Sequence, residues 1–129
     1  MLLVDEVNLV PETNAAGETV TYAYAKYTVK GDEFFLQGHF PGYPVVPGVI
    51  QCEIMAQSCA LLLGDDIKGK RTLYTGIDNV RFKTPVRPHD TINVKARITD
   101  RRRNIIFVQA EATVNGSICC KGNLSFALI

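Results

Sequence analysis

Residues 47–64 read PGVIQCEIMAQSCALLLG, and the architecture follows from this stretch. Pro47 suits the start of a helix, and Gly64 stands where a left-handed C-cap is expected. Gly48 to Leu63 between them are mostly good helix formers. Val49, Ile50, Ile54, Met55, Ala56, Ala60, Leu61, Leu62 and Leu63 cover most of the helix circumference, so the helix is predicted to be buried rather than to lie on a surface. Something must wrap around it.

The segments on either side supply the wrapping. Immediately upstream, QGHFPGYPVVPG (37–48) is too rich in proline and glycine for a helix interior or a central strand, and reads as an ordered loop. Before it, Leu2 to Val10 and Thr19 to Lys30 read as strands joined by a turn over Pro11 to Glu18. After the helix, strands are expected over Thr72–Phe82, Thr91–Asp100, Ile105–Val114 and Ile118–Leu128, the second with Ile92, Val94, Ala96 and Ile98 in alternation. Asn115-Gly116 between the last two is a strong type I′ hairpin signal. Antiparallel strands around one buried helix make an α+β layer architecture, with no internal repeat.

Composition narrows the function classes. At 129 residues, 47% hydrophobic and 21% charged, the chain is expected to be one globular domain spanning 1–129. The apolar run from Val45 to Leu63 is interrupted by Pro47, Gly48, Gln51, Glu53 and Gln57, which argues against a membrane span. MLLVDEV at the N-terminus has no basic region and no secretory signal character, so a cytoplasmic location is expected. Cys52, Cys59, Cys119 and Cys120 form no metal-like spacing with His39 or His89, and read as small reduced core residues. Charge is divided: residues 1–63 carry Lys26 and Lys30 against seven acidic residues, whereas residues 64–129 carry twelve basic against six acidic. The basic half, with Lys95, Arg97 and Arg101 to Arg103, can attract an acidic or phosphorylated partner; the arginine run on its own reads more readily as a solvated hairpin tip. Aromatic residues do not interleave with the basic ones, so nucleic acid is not an expected partner.

Three features carry chemistry. Glu53 sits in the second turn of the predicted helix among Cys52, Ile54, Met55 and Ala56. Burial there would raise a carboxyl pKa and make a proton donor. Gln57, at i+4 on the same face, can hydrogen-bond and orient it. The same spacing also lets Glu53 reach solvent near the helix N-terminus, where the helix dipole favours negative charge. His39 lies in the stiff loop before the helix, as a structural residue or as a base near neutral pH. The free amides of Gly48, Val49 and Ile50 at the helix start can receive a carbonyl oxygen as negative charge develops on it. Together these groups fit proton abstraction beside a carbonyl with protonation of a leaving group.

The stretch F-x-x-G-H-F-P-x-x-P-x-x-P-G-V followed by E-x-x-x-Q, here Phe35, Gly38, His39, Phe40, Pro41, Pro44, Pro47, Gly48, Val49, Glu53 and Gln57, resembles the 3-hydroxyacyl-[acyl-carrier-protein] dehydratases of bacterial type II fatty acid synthesis. LLVDEV, GIDNVRFKTPVRPHD (76–90) and DRRRNIIFVQAEATVNG extend the resemblance over nearly the whole chain. It implies a hot-dog fold, an antiparallel sheet wrapped around one central helix. It further implies a homodimer, often assembled as a trimer of dimers, with a tunnel at the interface that takes its histidine from one subunit and its glutamate from the other. On that pattern His39 removes the α-proton and Glu53 protonates the β-hydroxyl. Gly48 and Val49 hold the thioester carbonyl, Gln57 orients Glu53, and Phe40 lines the substrate path with Tyr43, Tyr74, Ile77, Phe82 and Pro85. Acyl carrier protein is the implied partner, and no metal or organic cofactor is implied.

The chain departs from the pattern twice. It begins almost at LLVD without the usual lead-in, which is expected to thin the rim of the site. His89 stands where the family usually has glycine, and is expected to be an exposed turn residue. Two other functions fit the same fold: an acyl-thioester hydrolase, which Glu53 alone would permit but which leaves His39 unused, and a non-catalytic acyl-binding module.

Overall fold

The computed structural model of the protein describes residues 2–36 and 44–129, and at 65–67 the backbone only. Six strands, β1 (Glu6–Thr13), β2 (Thr19–Thr28), β3 (Thr72–Phe82), β4 (Thr91–Arg102), β5 (Ile105–Val114) and β6 (Ser117–Leu128), accompany one helix, α1 (Gly48–Ser58). They form one antiparallel sheet in the order β1-β2-β4-β5-β6-β3. Helix α1 lies on its concave face, touching β2, β4, β5 and β6. This is the α+β layer architecture read from the strand and helix pattern, in the hot-dog arrangement that the family resemblance implied.

Alternation along β4 and β5 builds the core. Ile92, Val94 and Ala96 on β4, and Ile106, Val108, Ala110 and Ala112 on β5, point under the helix, where they meet Ile54 and Met55. Each fully buried Ile, Val or Met side chain among them contributes about 1.5–3 kcal/mol. The four cysteines are free and buried, as expected of small core residues. Asn115 and Gly116 both take positive φ, 50° and 82°, so the last hairpin turns as its sequence requires. His89 is exposed at φ 73°, a left-handed position that glycine occupies without strain, which accounts for the glycine of the resembling family.

The helix end and the first strand differ most from expectation, while β2, β4 and β6 differ by one or two residues at one end. The helix stops at Ser58 rather than running to Leu63, and Ala60–Ile67 continues as 3₁₀ turns. Ser58 Oγ donates to the Ile54 carbonyl at 2.7 Å and Cys59 Sγ to that of Met55 at 3.2 Å, side-chain bonds that compete with the helical ladder. Gly64 has φ 56° and ψ −134°, a conformation open mainly to glycine but not the left-handed cap expected. The first strand is Glu6–Thr13 instead of Leu2–Val10. Pro11 is accommodated because β1 is an edge strand, and the turn is confined to Asn14–Gly17, where Asn14 Oδ1 accepts from the Ala16 and Glu18 amides.

The expected enclosure of the helix is also incomplete. The sheet covers Gln51, Cys52, Ile54, Met55 and Ser58, but Val49 is 75% exposed and Leu61 46%. The apolar stripe left uncovered runs beside β3, the other edge of the sheet. Among the described residues no helix is long and apolar enough to cross a membrane.

Candidate active site

Helix α1 presents its site residues on one stripe. Val49, Glu53 and Gln57 follow each other at intervals of four and are all less buried than Ile54 and Met55 on the opposite side. At the helix start the Ile50 and Gln51 amides already bond to the Pro47 carbonyl, at 3.0 and 3.1 Å. The Gly48 and Val49 amides precede the first helical donor, Ile50, and are geometrically free for a ligand. An added Cβ on Gly48 would stand 2.9 Å from the Phe82 ring, so a larger residue there displaces that ring.

Glu53 is half-buried rather than enclosed, since this chain alone covers only one side of the stripe. It opens on a cavity of about 690 Å³ whose wall includes Ala56, Gln57, Leu63, Tyr74 and Phe126. The Tyr74 hydroxyl donates to Glu53 Oε1 at 3.1 Å. Burial and the neighbouring Glu53 charge both push the Tyr74 phenol upward, so it stays protonated as a donor. Gln57 Oε1 accepts from the Leu3 amide at 2.7 Å, which fastens the N-terminal arm across the helix. A second groove of about 630 Å³ runs past Gly48 and Val49, between Val46 and Phe82.

Three of the residues that the sequence points to, His39, Phe40 and Tyr43, lie outside the described residues. The chain on either side of them is firmly held. Upstream, Glu33 accepts from the Lys30 amide at 2.8 Å, from the Gly31 amide at 2.7 Å and from the Tyr27 hydroxyl, while Phe35 and Leu36 are buried. Burial opposes the Glu33 charge, yet those donated bonds outweigh it and draw the carboxyl down to about 2. Downstream, the Val46 amide bonds to the Val86 carbonyl at 2.8 Å. Sequence reasoning missed both Glu33 and the Tyr74 hydroxyl as functional supports. The only signal for Tyr74 was its inclusion among apolar wall candidates.

The basic residues separate by their partners. Lys95 lies 3.4 Å from Glu12 and over the Tyr22 ring, Arg97 donates to Gln109, and Arg102 pairs with Asp100 at 2.8 Å. Arg81 and Lys83 are exposed on either side of Phe82, next to the helix N-terminus.

A family model for the FabA-like domain matches residues 1–123. The 3-hydroxyacyl-[acyl-carrier-protein] dehydratase FabZ of Clostridium perfringens is 43% identical over 129 residues, covering 98% of this chain and 87% of that protein. Among solved structures, a chain of the dehydratase heterocomplex ApeI:P from Xenorhabdus doucetiae gives a TM-score of 0.69 at 19% identity, covering 98% of this chain and 99% of that one. A thioesterase from Haemophilus influenzae gives 0.62 at 22% identity, covering 92% and 78%. At such identities the two structures bear on the fold alone. The match over residues 1–123 and the 43% identity across nearly the whole chain place this protein in the FabA-like family, with the 3-hydroxyacyl-[acyl-carrier-protein] dehydratases.

Proposed function

We propose that the protein dehydrates (3R)-3-hydroxyacyl chains carried on acyl carrier protein to trans-2-enoyl chains, in fatty acid or related lipid synthesis. The observation that carries this reading is the stripe of α1 that sets Glu53 and Gln57 on a cavity and the free Gly48 and Val49 amides one turn away, in a chain 43% identical to a dehydratase. The thioester carbonyl oxygen rests on the Gly48 and Val49 amides, which bear the negative charge that develops as His39 takes the α-proton. The electron pair left on Cα forms the double bond and expels the β-hydroxyl. Glu53 protonates that oxygen and it leaves as water, after which the proton on His39 restores Glu53 through solvent. Gln57, one turn along the helix, orients Glu53, and Phe40 lines the substrate path.

The half-open Glu53 implies a second copy. The exposed apolar side of α1 and the apolar edge of β3 form one continuous face, which a homodimer would cover while supplying the partner's half of the site. Trimers of such dimers are part of the same reading, as are a single dehydratase domain over 1–129 and a cytoplasmic location. Arg81 and Lys83 beside the groove at the helix N-terminus suit an acidic carrier protein, whereas Lys95 is already committed to Glu12 and Tyr22.

Mass spectrometry of a 3-hydroxyacyl carrier protein incubated with the purified protein tests the reading. The expected product is the chain still attached but lighter by one water, with turnover reduced by about 10² to 10⁴ in His39→Ala or Glu53→Gln. Free 3-hydroxy acid would instead mean a hydrolase, and unchanged substrate retained by the protein a binding module.

A further inference from the structure

We infer that Tyr74 is a positioning residue for the acid step: its hydroxyl holds Glu53 Oε1, so that Glu53 Oε2 faces the substrate and gives up its proton. This rests on the proposed role of Glu53. The hydroxyl donates to Oε1 at 3.1 Å, and Tyr74 and Glu53 line the same cavity.

The geometry divides the labour between the two carboxyl oxygens. An oxygen that accepts a hydrogen bond from a phenol is a poor place for a proton, so the proton of the acid form belongs on Oε2. When the Oε2–H bond breaks, its electron pair stays on the carboxylate, the proton joins the departing β-hydroxyl oxygen, and water leaves. The negative charge then spreads to Oε1, where the phenol already donates, and a donor preset toward developing charge stabilises it without reorganisation. The phenol itself keeps its proton throughout.

Tyr74 is well fixed for this task. Its ring leans on Phe126, with centroids 5.3 Å apart, and its backbone pairs with the Phe126 position of β6. A register shift follows at once, between Tyr74 and Gly76. That bulge lets the strand present both Tyr74 and Ile77 on the helix side of the sheet. The same ring without its hydroxyl would keep the packing and lose only the bond to Glu53.

Tyr74→Phe is therefore the decisive variant, measured with a 3-hydroxyacyl carrier protein substrate in the wild-type and Glu53→Gln backgrounds. A charge-assisted hydrogen bond predicts that kcat falls about tenfold while KM stays within about twofold, with the melting temperature retained. In the Glu53→Gln background, assayed under single-turnover conditions, Tyr74→Phe is expected to change the rate by less than about twofold, since the group it acts through is gone. An unchanged kcat in Tyr74→Phe beside an inactive Glu53→Gln would overturn the inference and leave the role of Glu53 standing. A raised KM with unchanged kcat would overturn it too, by assigning the hydroxyl to ground-state substrate binding. Full activity in Glu53→Gln would remove the acid role of Glu53, and the inference with it.

Discussion

Glu33 illustrates how one carboxylate fixes the approach to the site. Its two oxygens gather the Lys30 and Gly31 amides and the Tyr27 hydroxyl, which clamps the end of β2 to the segment leading toward His39. Burial disfavours the charge, but the three donors prevail and lower the carboxyl to about 2. A folded-state pKa below the unfolded value stabilises the fold above the unfolded pKa, near 4.5, and that contribution disappears as pH falls toward 2. Glu33→Gln is expected to cost about 1 kcal/mol at pH 7, a figure already reduced for solvent screening at a partly exposed site. Urea titrations of both proteins at pH 7 and at pH 3 check this: the gap should narrow at the lower pH. A gap of constant size would mean that the charge is not what holds the clamp. Much at this scale was legible beforehand, because Val49, Glu53 and Gln57 share a helix stripe by spacing alone. The Tyr74 and Glu33 contacts were not, since each joins residues whose separation depends on how strands and turns pack.

Strand β3 was bounded correctly from its composition, as was β5, while the helix was drawn too long because side-chain bonds from Ser58 and Cys59 to the backbone have no clear sequence signature. The bulges of β3 were equally invisible. Tyr74 pairs with Phe126, Ile77 with Leu124 and Phe82 with Cys120, so all three side chains lie on the helix side, although separations of three and five residues would alternate faces in a regular strand. Register shifts at Tyr74/Gly76 and Asp78/Arg81 produce this, with Asn79 at φ 54° in the second. Gly122 on β6 makes the second bulge possible: an added Cβ would lie 2.5 Å from Val80 Cγ2 and 2.8 Å from Val80 Cα. Because the second contact is backbone, the strand itself must shift. Gly122→Ala is expected to destabilise the protein by about 1–3 kcal/mol in a denaturant titration, and to lower activity by displacing Phe82 from Gly48. A change under about 0.5 kcal/mol would mean that β3 yields without cost.

The whole molecule leaves its two sheet edges unequal. On β1 the edge carries Pro11, which discourages further strand pairing, and exposes Leu9 and Val10, whereas β3 exposes four large apolar side chains, Leu73, Tyr74, Ile77 and Phe82. Beside that edge lies Val49, at the start of the helix whose stripe bears Glu53. An apolar edge continuous with a half-open acid group suits the proposed two-chain site, in which a second copy would cover the side of the helix that the sheet leaves open. Ile77, 51% exposed and central on β3, is the place to test this. A lysine there would carry a charge into the contact between copies, at a cost that exceeds what neighbouring apolar contacts return. Ile77→Lys is expected to sediment as a monomer at micromolar concentration where the wild type is a dimer, to keep its circular dichroism spectrum, and to lose at least about tenfold in dehydratase rate. Partial recovery of that rate as protein concentration rises would tie activity to association itself. A wild type that sediments as a fully active monomer would overturn the two-chain site, and Glu53 would then work from the half-open position it has in one chain.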